Sequence, residues 1–223
     1  MALILNIDTA TEKAGIGLSM DGNLLSSAIN EQQKDHASWL HPAVHRLIGD
    51  TGFTLKDLHA VAVTAGPGSY TGLRVGMAAA KGFCYALDIP LITENELKVM
   101  AFTAREQFPG ADFYCPMIDA RRMEVFTTVY QTDLVALMPT VAMIIDAGSF
   151  SDYLSRGLVS FFGDGSGKCK PIITASSAVF NDIKMDLRYL GMLSFYRYLQ
   201  QEFTGVAYSE PAYTKEFYTH TKK

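Results

Sequence analysis

The segment Ala65 to Gly76, AGPGSYTGLRVG, constrains the fold of this chain more than any other. It overlaps the end of a short apolar run, Val61 to Ala65, that is typical of a buried strand, and Gly66-Pro-Gly68 then forces a turn. From Thr71 to Leu87 the chain is rich in glycine and alanine and has helical periodicity. A strand that passes through a glycine turn into a helix, with another strand to follow, predicts a parallel crossover and an α/β protein.

The first half of the chain predicts three antiparallel strands followed by alternating helices and strands. Two strands are expected at Leu3–Asp8 and Lys13–Met20, and Asp21-Gly22 suits the tight turn into a third strand that ends at Asn30. A helix is expected at Asp35–Gly49, with Pro42 bending it or marking its start. The remaining elements of this half are a strand at Ala60–Thr64, a helix at Thr71–Leu87, a strand at Pro90–Thr93 and a helix at Asn95–Phe108.

The second half repeats this order. Cys115–Asp119 ends in Ile-Asp as the first strand does, and strands at Glu124–Tyr130 and Leu134–Met138 are expected to form a second meander. The run Leu158–Gly165 is a strand that enters glycines, and Leu187–Phe203 predicts a closing amphipathic helix. We therefore predict two similar lobes, residues 1–109 and 110–223, with Pro109-Gly110 as the break between them.

Composition narrows the class of protein. Of the 223 residues, 48% are hydrophobic and 19% are charged, which is typical of a compact globular protein. The apolar runs are too short to span a membrane and the first residues lack the basic start of a secretory signal, so a cytoplasmic location is expected. The net charge of -4 opposes tight unaided binding to a phosphate backbone.

The cysteines and histidines give little sign of a metal or disulfide framework. Cys84, Cys115 and Cys169 are odd in number and lack CxxC spacing, so we expect reduced, mostly buried thiols. His41 and His45 have the spacing of two metal ligands on one helical face. However, HPAVH lacks the glutamate of HExxH and offers no third ligand, so surface histidines are favoured over a metal site.

Two glycine-containing segments could receive a nucleotide. The turn at Gly66 to Gly72 exposes little side-chain bulk, but it lacks a Walker lysine and fits no dinucleotide motif, which favours a structural turn. Asp8 and Asp119 end the first strand of each lobe and would face a cleft. Gly163 and Gly165 follow a strand and are the better candidates for a nucleotide loop, although a surface loop is favoured there too.

The helix after the glycine turn has two contrasting faces. Gly72, Gly76 and Ala80 recur at four-residue spacing and predict one smooth face for close packing. The opposite stripe mixes charged and apolar side chains. The sequence favours a contact face for a partner and a plain solvent-exposed surface equally there. The stripe consists of Arg74, Met77, Lys81 and Cys84.

Six segments in chain order resemble the bacterial TsaB (YeaZ) family. The glycine segment together with DAR-x-x-EV is far more specific than any single glycine motif, and the matches span nearly the whole chain. The segments are IDTAT at Ile7–Thr11, HASWLHP at His36–Pro42, AGPGSYTGLRVG at Ala65–Gly76, DARRMEVF at Asp119–Phe126, FGDG at Phe162–Gly165 and EPAY at Glu210–Tyr213.

The resemblance implies an actin-like fold of the ASKHA type, with two RNase H-like lobes and mixed sheets. It also implies a non-catalytic subunit of the machinery that places a threonylcarbamoyl group on N6 of adenosine 37 in tRNAs reading codons that begin with A. The implied partners are the catalytic paralogue TsaD, the ATPase subunit TsaE, and a second copy of the chain when TsaD is absent. Transfer RNA is reached through the complex, and no catalytic residue, cofactor or metal is expected in this chain.

The resemblance further places partner contacts on the helices at Asp35–Gly49 and Thr71–Leu87. The predicted interface residues are Trp39, Leu40, Val44, Arg74, Met77 and Lys81. The metal-binding histidines of the catalytic paralogue follow its glycine turn, whereas His41 and His45 precede the turn here. The resemblance therefore assigns this histidine pair no metal.

Two other functions remain open from the residues alone. An independent ATPase or sugar-kinase-like enzyme would use a cleft between Asp8, Asp119 and the Gly163 loop, an argument from architecture. A metallopeptidase would bind its metal through His41 and His45, and this pair is the only feature of the sequence that favours such an enzyme.

Overall fold

The computed structural model describes residues 1–32, 35–183 and 185–215. The glycine turn follows a strand of the first of its two sheets. The strand order is β3-β2-β1-β4-β5, with antiparallel pairing from β1 to β3 and parallel pairing from β1 through β4 to β5. These strands are β1 Leu3–Asp8, β2 Ala14–Met20, β3 Asn23–Asn30, β4 Ala60–Gly66 and β5 Leu91–Asn95. The predicted meander and the parallel crossovers are confirmed.

The second sheet repeats the first. Its order β11-β10-β6-β7-β9, read from the other edge, places an antiparallel meander beside two parallel strands as in the first sheet, and β8 pairs with β6. The strands are β6 Phe113–Asp119, β7 Glu124–Thr127, β8 Tyr130–Gln131, β9 Val141–Ile144, β10 Val159–Phe162 and β11 Ala178–Phe180. The internal duplication predicted from the strand order is therefore confirmed.

One strand of the second meander was predicted in the wrong place. The third strand is Val141–Ile144 and not Leu134–Met138. Leu134 has a φ of 64°, and the chain around it turns back so that Leu137 N donates to Val129 O at 2.7 Å. The left-handed residue ends the extended run, which the apolar side chains alone could not reveal.

The helices occupy equivalent places in the two lobes but differ in length. The helices of the first half are α1 His36–Asp50, α2 Tyr70–Leu87 and α3 Glu96–Gln107, and those of the second half are α4 Ser151–Arg156, α5 Ser166–Cys169 and α6 Leu187–Leu199. Pro42 lies inside α1 and does not mark its start. None of the helices in the described residues combines the length and apolar composition needed to cross a bilayer.

The first sheet is covered on both faces because side chains alternate along its central strand. Leu3, Leu5 and Ile7 belong to the core beneath α1 and α2, whereas Ile4 packs with Phe195 of α6 on the other face. Helix α6 contacts β1, β2, β3 and β5. The first lobe is therefore a three-layer structure whose third layer comes from the end of the chain.

The third helix of each half crosses to the other sheet. In α3, Leu97 and Ala101 pack with Tyr114 and Phe162 of the second sheet, while α6 lies on the first. The predicted second lobe, 110–223, is therefore wrong for α6, because that helix buries its apolar side chains against the first sheet. The exchange ties the two sheets together and frames the cleft between them.

Candidate functional site

A cleft of about 830 Å³ lies between the two sheets and is lined from both. Among the described lining residues, seven are acidic, Asp8, Glu12, Glu31, Glu96, Asp164, Asp182 and Asp186, and two are basic, Lys13 and Lys170. The apolar lining residues include Ile29, Val99, Met100, Phe180, Ile183 and Met185. A cleft of this charge attracts cations and repels an unaccompanied phosphate.

Asp8 lies at the floor of this cleft because β1 ends there. Its Oδ1 accepts hydrogen bonds from Ala10 N at 3.0 Å and Thr64 Oγ1 at 2.8 Å, and the residue is 2% exposed. Burial raises the pKa of Asp8, although these hydrogen bonds act in the opposite direction. Asp8 thus lines a cleft, and its assignment as a nucleotide-site residue stays a prediction.

Glu96 forms a buried carboxyl pair with Asp8. It is the first residue of α3, is 3% exposed and shares a side-chain hydrogen bond with Asp8. Burial, followed by the negative charge of Asp8, raises the pKa of Glu96 well above its ordinary value. Both carboxyl groups therefore hold a proton more readily than an exposed carboxyl group does.

The loop after β10 brings a third acid to the same cleft. The Oδ1 of Asp164 accepts from Asp119 N at 2.9 Å, and burial raises the pKa of Asp164. Asp119 itself makes an ion pair with Lys168 and accepts from Arg121 N at 2.7 Å. Partial burial acts to raise the pKa of Asp119, but these contacts outweigh it and the pKa is lowered. Asp119 is thus engaged by its own lobe and does not line the cleft.

The glycines of that loop are required by internal packing. Gly163 has a φ of 96°, and a Cβ there would overlap Met117 O. A Cβ on Gly165 would lie 3.0 Å from the carbonyl carbon of Ile118. The two glycines predicted as nucleotide-loop candidates thus bring the loop close to the backbone of β6, which accounts for both of them without a nucleotide.

The glycine turn of the first lobe packs in the same way. A Cβ on Gly68 would overlap Ala10 O, and one on Gly72 would overlap Thr9 O. The backbones are hydrogen-bonded there, since Ser69 N donates to Ala10 O at 2.6 Å and Thr9 Oγ1 donates to Gly72 O at 2.8 Å. The space that a phosphate would need in this turn is filled by the turn after β1.

The predicted interface residues divide into buried and accessible sets. Leu40, Val44 and Met77 are each at most 3% exposed and belong to the core between the first sheet, α1 and α2. Their side chains have almost no surface to offer a partner, so their assignment to a contact face is corrected. Trp39 is half-buried, packed against the same core.

Arg74 and Lys81 lie on the outer side of α2, where the tail segment, residues 204–215, contacts them. Lys81 Nζ donates to Ala207 O at 3.2 Å and to Ser209 O at 3.0 Å. Arg74 Nε donates to the Tyr213 hydroxyl at 3.0 Å, and its guanidinium lies 4.0 Å from the ring centroid of Tyr70. The outer face of α2 is therefore built jointly by the helix and the tail segment.

The structure adds one surface residue that the sequence analysis missed. Tyr85 is 86% exposed and lies on the outer side of α2 together with Arg74, Ala78 and Lys81. The spacing from Lys81 to Tyr85 was the available signal, but the neighbouring stripe through Met77 and Cys84 has equally regular spacing. On α1, both His41 and His45 are exposed, and the His41 ring lies 5.4 Å from the Phe83 ring of α2.

Glu96 and Asp164 were also missed as cleft residues. Asp8 is the last residue of β1, Glu96 comes directly after β5, and Asp164 stands two residues after β10 between the two glycines already singled out. An acid at or just beyond the end of a strand was thus the common signal. As predicted, Cys84, Cys115 and Cys169 are free thiols in buried positions.

Comparison with known proteins relates this chain to tRNA-modification proteins. Residues 23–146 match the family model of TsaD, tRNA N6-adenosine threonylcarbamoyltransferase. The chain is 38% identical over 128 residues to the tRNA threonylcarbamoyladenosine biosynthesis protein TsaB of Bacillus subtilis, covering 57% of this chain and 55% of that protein. It is 35% identical over 130 residues to TsaB of Escherichia coli, covering 58% and 55%. The chain thus spans about half the length of the curated relatives it matches.

A solved structure extends the likeness to the whole fold. YeaZ from Pseudomonas aeruginosa superposes with a TM-score of 0.82 at 22% identity, covering 96% of this chain and 100% of that one. At this identity the likeness concerns the fold, and it agrees with the two mixed sheets and their duplicated strand order. The actin-like fold of two RNase H-like lobes expected from the sequence is confirmed, and the chain belongs to the TsaB (YeaZ) family.

Proposed function

We propose that this chain is a non-catalytic subunit required for threonylcarbamoylation of N6 of adenosine 37 in tRNAs that read codons beginning with A. It acts by heterodimerising with the catalytic paralogue TsaD. The observation that carries this proposal is the outer face of α1 and α2, where Tyr85, Arg74 and Lys81 remain at the surface while the inner face of both helices is occupied by the core. Exposed aromatic and arginine side chains on packed helices are typical anchors of protein interfaces.

The packing of the glycine turns favours a non-catalytic subunit over an independent enzyme. Both turns are occupied by the chain's own backbone at Gly68, Gly72, Gly163 and Gly165. Among the charged residues described in the cleft between them, acids outnumber lysines by seven to two, which disfavours a nucleotide phosphate. A chain whose glycine turns pack against its own backbone and leave no room for a phosphate is consistent with a partner subunit.

The finer assignments follow from the family. In this proposal the ATPase subunit TsaE joins the pair, a homodimer forms through the same α1 and α2 face when TsaD is absent, and tRNA is reached only through the complex. The protein would act in the cytoplasm and would need no cofactor of its own. Trp39, Arg74 and Lys81 remain proposed contact residues, and Tyr85 joins them.

Reconstitution tests the proposal directly. Threonylcarbamoylation of tRNA is measured with purified TsaD, TsaE and the threonylcarbamoyl adenylate substrate, with and without this chain. We expect modification only when the chain is present. Full activity without it would refute the proposed role.

A matched pair of variants tests the contact face. Tyr85→Ala on α2 should weaken copurification with TsaD at least tenfold, because truncating an interface aromatic typically costs more than about 1.4 kcal/mol. Tyr196→Ala, on α6 across the first sheet, is 62% exposed and serves as the control. Equal effects of the two variants would contradict an interface on α2.

The rival assignment to an independent ATPase is tested by calorimetric titration with Mg-ATP. The proposal predicts no saturable binding to the isolated chain. Micromolar to millimolar binding that is lost in Asp8→Ala would instead support the ATPase.

A further inference from the structure

The cleft between the sheets has a charge distribution that the proposed scaffold role does not use. Seven acids and two lysines line it among the described residues, and Lys13 already pairs with Glu31 at 3.0 Å, both of them exposed at the rim. The acids come from separate elements: β1, the start of α3, the loop after β10 and the approach to α6. Positive charge entering the cleft would therefore meet acids on every side.

Glu96 carries a buried oxygen that has no partner. Its Oε2 makes no hydrogen bond within the described part of the chain, although the residue is 3% exposed and the carboxyl shares a hydrogen bond with Asp8. Glu96 lines the cleft, so a donor that enters the cleft can reach this carboxyl group. A buried acceptor without a donor is costly, and a ligand that supplies the donor regains that free energy.

The cleft is too large and too apolar for a bare metal ion. Its volume of about 830 Å³ accommodates an organic molecule, and Val99, Met100, Ile183 and Met185 add apolar surface between the acids. We propose that the cleft binds an aliphatic amine with two or more ammonium groups, one of which donates to the Asp8–Glu96 pair. The methylene chain lies along the apolar residues, and the second ammonium meets the acids closer to the rim.

Binding replaces a proton at the carboxyl pair with an ammonium group. The entering ammonium donates to Glu96 and one proton of the Asp8–Glu96 pair leaves to solvent, so the charge at the pair is unchanged, while the second ammonium adds one positive charge that the acids closer to the rim balance. The neighbouring groups that act on this pair are His36 of α1, which lowers the pKa of Asp8, and Asp164 of the loop after β10, which raises the pKa of Glu96. Affinity should therefore rise with pH as the pair loses its proton.

Isothermal titration calorimetry of the full chain with putrescine, a diamine, tests the proposal. We expect a dissociation constant on the order of 1 mM or lower, tightening from about pH 5 to about pH 8. The measured enthalpy should change with the ionisation enthalpy of the buffer, because protons are released. Butanediol, the neutral analogue, should not bind.

Two substitutions separate a specific site from general attraction to acids. Glu96→Gln cannot become a carboxylate, so it should weaken putrescine binding at least tenfold and remove the buffer dependence. Glu106→Gln, on the exposed end of the same helix, should bind as the parent chain does. The proposal is overturned by a lack of binding, by equal loss in both variants, or by magnesium chloride competing at the concentration of putrescine.

Discussion

The two strand-to-glycine turns of this protein are built alike but lead to different structures. In the first lobe the turn after β4 starts α2, which has 18 residues, whereas in the second lobe the turn after β10 starts α5, which has four. In both, glycines allow the loop to lie against the backbone near the end of the neighbouring strand, at Thr9 and Ala10 just after β1 in one lobe and at Met117 and Ile118 within β6 in the other.

The difference shows that the turn and the helix after it serve separate purposes. In each lobe the turn packs closely against the backbone at the end of the neighbouring strand. Its glycines are therefore needed whether or not a long helix follows. The long helix adds an outer face that carries Arg74, Lys81 and Tyr85. Within the described residues the glycine turn thus occurs in both lobes, whereas the long helix with this outer face follows it in the first lobe alone.

The largest effect is expected at the first turn. In Gly72→Ala the new methyl group would overlap Thr9 O, so backbone must move, and the free energy of unfolding should fall by about 3 kcal/mol or more. Gly82→Ala is the matched control in the same helix, where no atom lies within 4 Å, and it should raise stability by up to about 1 kcal/mol. Urea denaturation of both variants measures this. Similar values would mean that the turn does not need its glycine.

A smaller loss is expected at the second turn. In Gly165→Ala the methyl group would lie 2.9 Å from Val125 Cγ1 and 3.0 Å from the carbonyl carbon of Ile118, a milder conflict that should cost about 1 to 2 kcal/mol. Gly167→Ala meets nothing within 4 Å and serves as the control. If thermal or urea unfolding showed Gly165→Ala to be as stable as its control, the two turns would not share one construction.

The buried acid between the turns should make stability depend on pH. The pKa of Glu96 is raised in the folded chain, so the folded state binds its proton more tightly than the unfolded state does. The contribution of Glu96 to stability is therefore greatest below the ordinary carboxyl pKa of about 4.3 and is lost as pH rises through the folded-state value, by about 1.4 kcal/mol for each unit of the shift. Glu96→Gln should reduce this fall.

Denaturation curves measured across pH values check the prediction, with Glu106→Gln as the exposed control on the same helix. The control should retain the pH dependence of the parent chain. Parallel stability curves for Glu96→Gln and the parent would show that folding does not raise the pKa of Glu96.

The smallest effect is expected for the ion pair beside the second turn. Lys168 pairs with Asp119 and also donates to Glu124 O at 2.7 Å, with its side chain 20% exposed. Lys168→Met should cost about 1 kcal/mol and lose part of that cost at high salt. Lys13→Met, which removes a pair whose side chains are 54% and 74% exposed, should change stability by less than about 0.5 kcal/mol. A larger effect of Lys13→Met in urea unfolding would reverse this ranking.

Much of the fold could be predicted because the pattern that defines each element is local. The apolar run ending at Asp8, the glycines at Gly66 and Gly68, and the repeat of both in the second half were sufficient for two lobes with parallel crossovers. Leu134 was the exception. Its left-handed backbone is a response to the turn around it, and an apolar side chain carries no sign of that.

The site was less predictable because helical spacing does not say which face is covered. The stripes Arg74–Met77–Lys81 and Arg74–Ala78–Lys81 both follow helical periodicity, and only the packing of α2 on the first sheet places Met77 in the core and leaves Ala78 outside. The pairing of Asp8 with Glu96 joins residues far apart in the sequence.

The sequence by itself determined the order of strands, the two glycine turns and the family, since these depend on residues close together in the chain. Only the tertiary structure decided which side of α2 is free, that α6 returns to the first sheet, and that the cleft is lined by acids from both halves. The physical reason is that burial and charge density arise from the proximity of distant segments, which no local pattern specifies.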